Sequence, residues 1–128
     1  MGIPKEFRIK NSNEFSSIRS VGLRRVMPCF ITQLKFSESH EAGAEFPPLT
    51  RLGVIASRRV GNAVLRNRGK RIIRRLFYKH RSLLPVGSQL VVILRLGFNT
   101  VNFDQLEADF LESCAWYAKK FKTKGPSR

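Results

Sequence analysis

Between Glu45 and Asp104 the chain carries twelve Lys or Arg and no acid. A segment this cationic can fold only if its charged groups stay in water or meet a polyanion, because an unpaired buried cation is too costly to keep. At its centre, Gly61 to His80 reads Gly-Asn-Ala-Val-Leu-Arg-Asn-Arg-Gly-Lys-Arg-Ile-Ile-Arg-Arg-Leu-Phe-Tyr-Lys-His. At about 100° per residue these positions separate into two helical faces. Leu65, Gly69, Ile72, Ile73 and Leu76 point one way, Asn67, Lys70, Arg71 and Arg74 nearly the opposite way, and Arg66, Arg68 and Arg75 lie on the flanks. One face is expected to pack on a sheet while the other presents a cationic ridge. A merely solvated helix face usually alternates signs, and this one contains no acid. Gly69 falls within the apolar face and should cost the helix about 1 kcal/mol relative to alanine, so Gly69→Ala is expected to stabilise the protein.

The rest of the chain supplies a partner for that apolar face. Ser12-Asn13-Glu14 offers a helix cap, Phe15 and Ile18 lie three apart, and Gly22 can end a helix in the left-handed conformation, which predicts a first helix over 12–21. Cys29 to Phe36 is a β-prone stretch in which Phe30, Thr32, Leu34 and Phe36 share one face. Leu52 to Ser57 predicts a second strand. Gln89 to Leu96 predicts a third, whose continuous apolar run points to burial on both faces. Ser37 to Thr50, with three Glu and Pro47-Pro48, reads as a mobile, solvated loop containing His40 as a bystander. A final helix is expected after Asn102, with Gln105 answering the cap as in a capping box. Phe103, Leu106, Phe110, Cys114 and Tyr117 form its core stripe. The length suits a single domain, residues 1–118, followed by a basic, disordered tail over 119–128.

The formal net charge of +15 narrows the partner. Nucleic acid is favoured, because several cations binding closely spaced phosphates release condensed counterions. A membrane is the rival, but Leu90 to Leu94 is too short to span a bilayer and the first residues lack a signal-peptide apolar region. Glu6 also stands where a myristoylation motif needs Ser or Thr. Arginine suits RNA in particular, since guanidinium offers planar donors to phosphate and stacks on bases. Cys29 and Cys114 are isolated in sequence and only two His are present, so neither zinc nor a disulfide framework is suggested. Reduced, buried thiols in a cytoplasmic protein are the expectation. A DNA-binding helix-turn-helix would need compact paired helices, which the long connection after Arg81 and the β-rich surroundings do not provide.

The segment Ser57-Arg58-Arg59-Val60-Gly61-Asn62-Ala63-Val64-Leu65-Arg66-Asn67-Arg68-Gly69-Lys70-Arg71-Ile72-Ile73-Arg74-Arg75-Leu76-Phe77 closely resembles the strand-to-helix region of the bacterial ribonuclease P protein family, centred on its Arg-Asn-Arg motif. The resemblance extends in order through Arg8-Ile9, the Phe15 helix, Gly22, the Phe30 strand, Leu52-Gly53-Val54, the Val91 to Arg95 strand and the closing helix. It implies an α+β, ribosomal protein S5 domain 2-like sandwich in α-β-β-β-α-β-α order, with a first strand just after Gly22. It also implies a left-handed β-α-β crossover, against the strong right-handed preference of such units. It further implies a protein subunit that assists a catalytic RNA in removing the 5′ leader from precursor tRNA. Mg²⁺ would then be held mainly by the RNA, with none bound stably by the protein alone and no small-molecule cofactor.

By position, Arg58, Arg59, Asn62, Arg66, Asn67, Arg68, Lys70, Arg71 and Arg74 match the segment through which family members contact the catalytic RNA. Phe15 matches an aromatic contact in the cleft that receives the leader, Arg19 lies one turn further along that helix, and Phe30 and Thr32 fit either the cleft or the core. The sequence departs from the family pattern at Gly69, where a bulky apolar residue is usual, and at Arg75, where an acid is frequent. Arg19 and Gln33 replace expected aromatics. A ribosomal or general RNA-binding module without a role in cleavage is the other reading of the same charge and fold.

Overall fold

The computed structural model describes residues 5–36 and 49–124. The main elements are α1 (Ser12–Val21), β1 (Leu23–Val26), β2 (Phe30–Lys35), β3 (Arg51–Ile55), α2 (Ala63–His80), β4 (Gln89–Leu94) and α3 (Phe103–Lys124). This is the α-β-β-β-α-β-α order the resemblance implies. The four strands form one sheet in the order β1-β2-β4-β3. β1–β2 and β2–β4 pair antiparallel, whereas β3–β4 is parallel. A parallel neighbour cannot be reached by a hairpin, and α2 is the crossover between β3 and β4. The apolar run of β4 is covered on both faces, Leu90, Val92 and Leu94 packing with α2 and α3 and Val91 with Ile18 of α1, and all four are buried.

Alternation along the strands divides the molecule into two unequal cores. On one face, Phe30 and Leu34 of β2, Leu52 of β3, and Leu90, Val92 and Leu94 of β4 pack with α2 and α3. Ile73, Leu76 and Phe77 of α2 are fully buried there, each burial stabilising by roughly 1.5–3 kcal/mol. Leu106, Phe110, Cys114 and Tyr117 supply the α3 stripe. The buried Tyr117 hydroxyl lies 2.8 Å from Thr32 Oγ1 and donates to Leu23 O at 3.1 Å, tying α3 to β1 and β2. On the other face a smaller cluster of Ile9, Ile18 and Val91 sits beneath α1.

Several expectations change in detail. Phe30 is completely buried against α2 and α3, so it belongs to the core and is removed from the leader cleft. Thr32 points the same way. The cap of α1 is Asn11, whose Oδ1 accepts from Glu14 N at 2.8 Å. Gly22 ends that helix in an extended conformation (φ −76°), not a left-handed one. Asn102 caps α3 by accepting from Gln105 N at 2.8 Å, but the Gln105 side chain donates to Asp109 and leaves the capping box half made. The expected disordered tail begins too early, because α3 continues through Lys124. The Phe36 and Phe121 rings meet edge-on at 5.1 Å and anchor the extra turn. β2, β3 and β4 each end one or two residues inside their expected limits. His40 and most of the Ser37 to Thr50 loop lie outside the described residues.

The surroundings of Gly69 oppose the expectation that alanine would stabilise the helix. The glycine is buried in α2, and a Cβ there would lie 2.6 Å from Leu94 Cδ1 and 2.9 Å from Phe98 Cε2. Those two side chains are themselves 4% and 2% exposed. A bulky residue is absent because α2 approaches the end of β4 closely, and a methyl there would set this proximity against the helix propensity of alanine.

Candidate nucleic-acid interface

The cationic ridge forms because α2 buries only one stripe. Asn67, Arg68, Arg71 and Arg75 are exposed, while Arg66, Lys70 and Arg74 form a half-buried row along the flank. Arg66 to Lys70 to Arg74 runs at spacings of four, so the three lie one above another on the helix surface. The first turn of α2 holds no acid, and the last holds Lys79 and His80. Both of these bind Glu107 of α3, with Lys79 Nζ at 2.9 Å and His80 Nε2 at 2.7 Å from its Oε2. Those hydrogen bonds, led by that from His80, hold the Glu107 carboxyl below its ordinary pKa. Glu107 of α3 thus meets α2 at its C-terminal end, and among the described residues no ion pair reaches the Arg-Asn-Arg end.

Upstream, Arg58 and Arg59 are exposed on a 3-10 turn, Arg58–Val60. Gly61 joins that turn to α2 with φ 149°, a backbone that L side chains rarely adopt. Asn62 then caps α2, its Oδ1 accepting from Leu65 N at 3.0 Å. The cap commits the Asn62 oxygen and leaves its amide nitrogen for a ligand. Arg58, Arg59, Asn62, Arg66, Asn67, Arg68, Lys70, Arg71 and Arg74 therefore lie on one turn-and-helix unit, as the sequence suggested, although three of them are half-buried.

The α1 face of the sheet is where sequence reasoning missed most. Phe15 lies against the backbone of Gly53, where a Cβ would meet its ring at 2.5 Å. Arg19, one turn further along α1, is exposed. Gln33 and Val91 belong to the same cross-strand row as Gly53 and are buried. Gln33 is thus no open contact, and its Oε1 has no hydrogen-bond partner among the described residues. The next row is Val26, Ile31, Ile93 and Ile55, paired strand to strand across the whole sheet. Val26 is 56% exposed and the other three are half-buried. An aliphatic strip therefore crosses the sheet beside α1, and the exposed Arg24 on β1 lies at the end of the neighbouring row of Gln33, Val91 and Gly53. The strip's four members come from four strands, so no local sequence signal marks it.

Comparison with known proteins agrees with this geometry. The family model described as ribonuclease P matches residues 3–117. The ribonuclease P protein component of Streptomyces avermitilis is 34% identical over 109 residues, covering 84% of this chain and 88% of the relative. That of Brevibacillus brevis is 32% identical, covering 84% and 79%. Among solved structures, the ribonuclease P protein of Staphylococcus aureus superposes with a TM-score of 0.71 at 27% identity, over 87% of this chain and 97% of the other. The Thermotoga maritima protein gives 0.69 at 25% identity, over 84% and 94%. Because the family match spans nearly every described element and the relatives align over most of their own length, this chain belongs to the ribonuclease P protein family.

Proposed function

We infer that this protein acts as the protein subunit of ribonuclease P, binding the catalytic RNA through α2 and the 5′ leader of precursor tRNA along the α1 face of the sheet. The observation that carries this reading is the acid-free arginine unit from Arg58 to Arg74, held on a helix whose other face is locked into the core. It neutralises RNA phosphates, and the aliphatic strip from Val26 to Ile55, with Phe15 and Arg19 beside it, accepts the bases and phosphates of a single strand. Phosphodiester hydrolysis belongs to the RNA, with Mg²⁺ held mainly by it. Among the described residues no three His, Cys, Asp or Glu side chains gather as a metal-holding group, and no chemical step is assigned to this chain. No small-molecule cofactor enters the proposal. A cytoplasmic setting goes with this reading; among the described residues no helix is long and apolar enough to cross a membrane.

Reconstitution with a bacterial ribonuclease P RNA tests the function. The protein should stimulate correct leader removal at limiting Mg²⁺ and should not cleave precursor tRNA alone. Robust metal-dependent cleavage by RNA-free protein would overturn the assignment, and RNA binding without stimulation would favour a general RNA-binding role.

A further inference from the structure

The N-terminal segment contributes a cation that the helix motif does not include. Ile9 N donates to Leu52 O at 2.8 Å, and Arg8 forms an isolated parallel bridge with Leu52 along the outer edge of β3. Ile9 enters the cluster beneath α1. Alternation therefore sends the Arg8 side chain to the opposite face, where α2 crosses β3. There it comes close enough to Arg74 for the two like charges to repel. Together with loss of water, the larger cause, that repulsion holds the Arg74 pKa below its ordinary value.

Among the described residues no ion pair compensates Arg8 or Arg74. Arg8 Nε is buried without a hydrogen-bond partner among the described residues. The ion pairs among those residues join Arg25 to Glu112, Arg51 to Glu14, and Lys79 and His80 to Glu107. The nearest of these acids by sequence, Glu14, belongs to α1 and is engaged by Arg51 on the far face of the sheet. Lys70, one turn before Arg74, adds a third cation to the same flank. Two arginines on the same flank, Arg74 partly desolvated and Arg8 with its Nε buried and unpartnered among the described residues, form an unfavourable arrangement for the free protein and a favourable one for a bound tetrahedral anion, which accepts planar forked donors from more than one side.

We propose that Arg8 and Arg74 clamp one phosphate of the RNA backbone between the N-terminal segment and α2, making Arg8 an RNA-binding residue. This rests on the RNA-binding reading above. The ridge residues Asn67, Arg68 and Arg71 meet RNA from the front of the helix, and the clamp holds it from the side.

The test measures affinity of the full chain for a bacterial ribonuclease P RNA across a salt series, using Arg8→Gln, Arg74→Gln, the double variant and Arg68→Ala. Each Gln variant should bind roughly tenfold more weakly or worse, as expected for a charge-assisted contact. Because both residues grip the same phosphate, either single variant leaves it with one cation and should change the log–log salt slope little, whereas the double variant should flatten it by roughly 0.7 to 0.9, one phosphate's worth. Wild-type affinity for Arg8→Gln, or a whole phosphate's slope loss in each single variant that adds in the double, would overturn the clamp. Arg8→Lys guards against misfolding: it keeps the charge and loses the fork, so it should weaken binding several-fold with an unchanged slope, and equal affinity would count against the proposal. Normal binding by Arg68→Ala together with both Gln variants would instead remove the RNA-binding reading. Comparing precursor with mature tRNA on the holoenzyme assigns the phosphate to the leader if the loss appears only there, and to the catalytic RNA otherwise; the clamp stands in both cases.

Discussion

Replacing Gly69 with alanine sets two known effects against each other at one atom. The helix gains about 1 kcal/mol from propensity. Against this, the new methyl would enter within 2.6 Å of Leu94 Cδ1 and 2.9 Å of Phe98 Cε2, both far inside van der Waals contact. Leu94 and Phe98 are buried, so making room for the methyl requires both to shift within the core. Overpacking of this kind typically costs about 1–3 kcal/mol. The balance is a net loss of roughly 0 to 2 kcal/mol, which in a chain of this size lowers the melting temperature by up to about 8 °C. Thermal and urea denaturation followed by circular dichroism measure it. The Leu94→Ala background isolates the cause, because it removes the nearer obstructing atom, and there Gly69→Ala should be much less harmful. A higher melting temperature for Gly69→Ala in the wild-type background, or the same loss in both, would refute the close-approach argument.

Four further outcomes follow from the interface and its supports. Arg68→Ala should leave the fold intact, weaken RNA binding and flatten its salt slope by roughly 0.7 to 0.9; unchanged affinity with unchanged circular dichroism would place the RNA surface elsewhere. Phe15→Ala should reduce the difference between precursor and mature tRNA affinity at every salt concentration, since stacking is worth roughly 1 to 3 kcal/mol per base. Arg19→Ala should matter mainly at low salt, and an unchanged difference even there would make Arg19 a solvated helix residue. Glu14 donates no proton in its pairing with Arg51, whose hydrogen bond is the main reason its pKa lies below the ordinary value. A depressed folded-state pKa gives stability that is present above the unfolded value of about 4.3 and lost as pH falls through the folded one. Glu14→Gln should therefore lower stability at neutral pH and flatten its loss in the acid range, as read from melting temperature against pH; an acid limb identical to wild type would exclude the pair as a contributor.

What was legible in the sequence is what local periodicity encodes. The first helix was placed at its observed bounds, and the two faces of α2 follow from apolar spacing alone. β1 was legible only through the family resemblance, because Leu-Arg-Arg-Val on a sheet edge carries no apolar run. The face of β2 was ambiguous, since Phe30 and Ile31 are both apolar and only the placement of α2 and α3 decides which is core. Helix propensity carries no sign of the close approach at Gly69, because its neighbours arrive from β4 and the turn after it. The extra turn of α3 had a signal in Phe121, an aromatic within a basic tail, whose partner Phe36 is far away in sequence. Arg8 escaped notice for the same reason: its importance depends on Arg74.

The start of α2 places charge where an isolated helix would reject it. Arg58 and Arg59 precede the cap and no acid occupies the first turn, so like charge gathers at the positive end of the helix dipole, where each cation is unfavourable by about 0.3–1 kcal/mol. Asn62 offsets part of this. Amides of the first turn should consequently exchange hydrogen faster in the free protein than those around Ile73, and a docked phosphate would reverse the local field and slow them. Fraying at that turn is then a property of the unassembled subunit, and its protection factor reports RNA engagement before any tRNA is present.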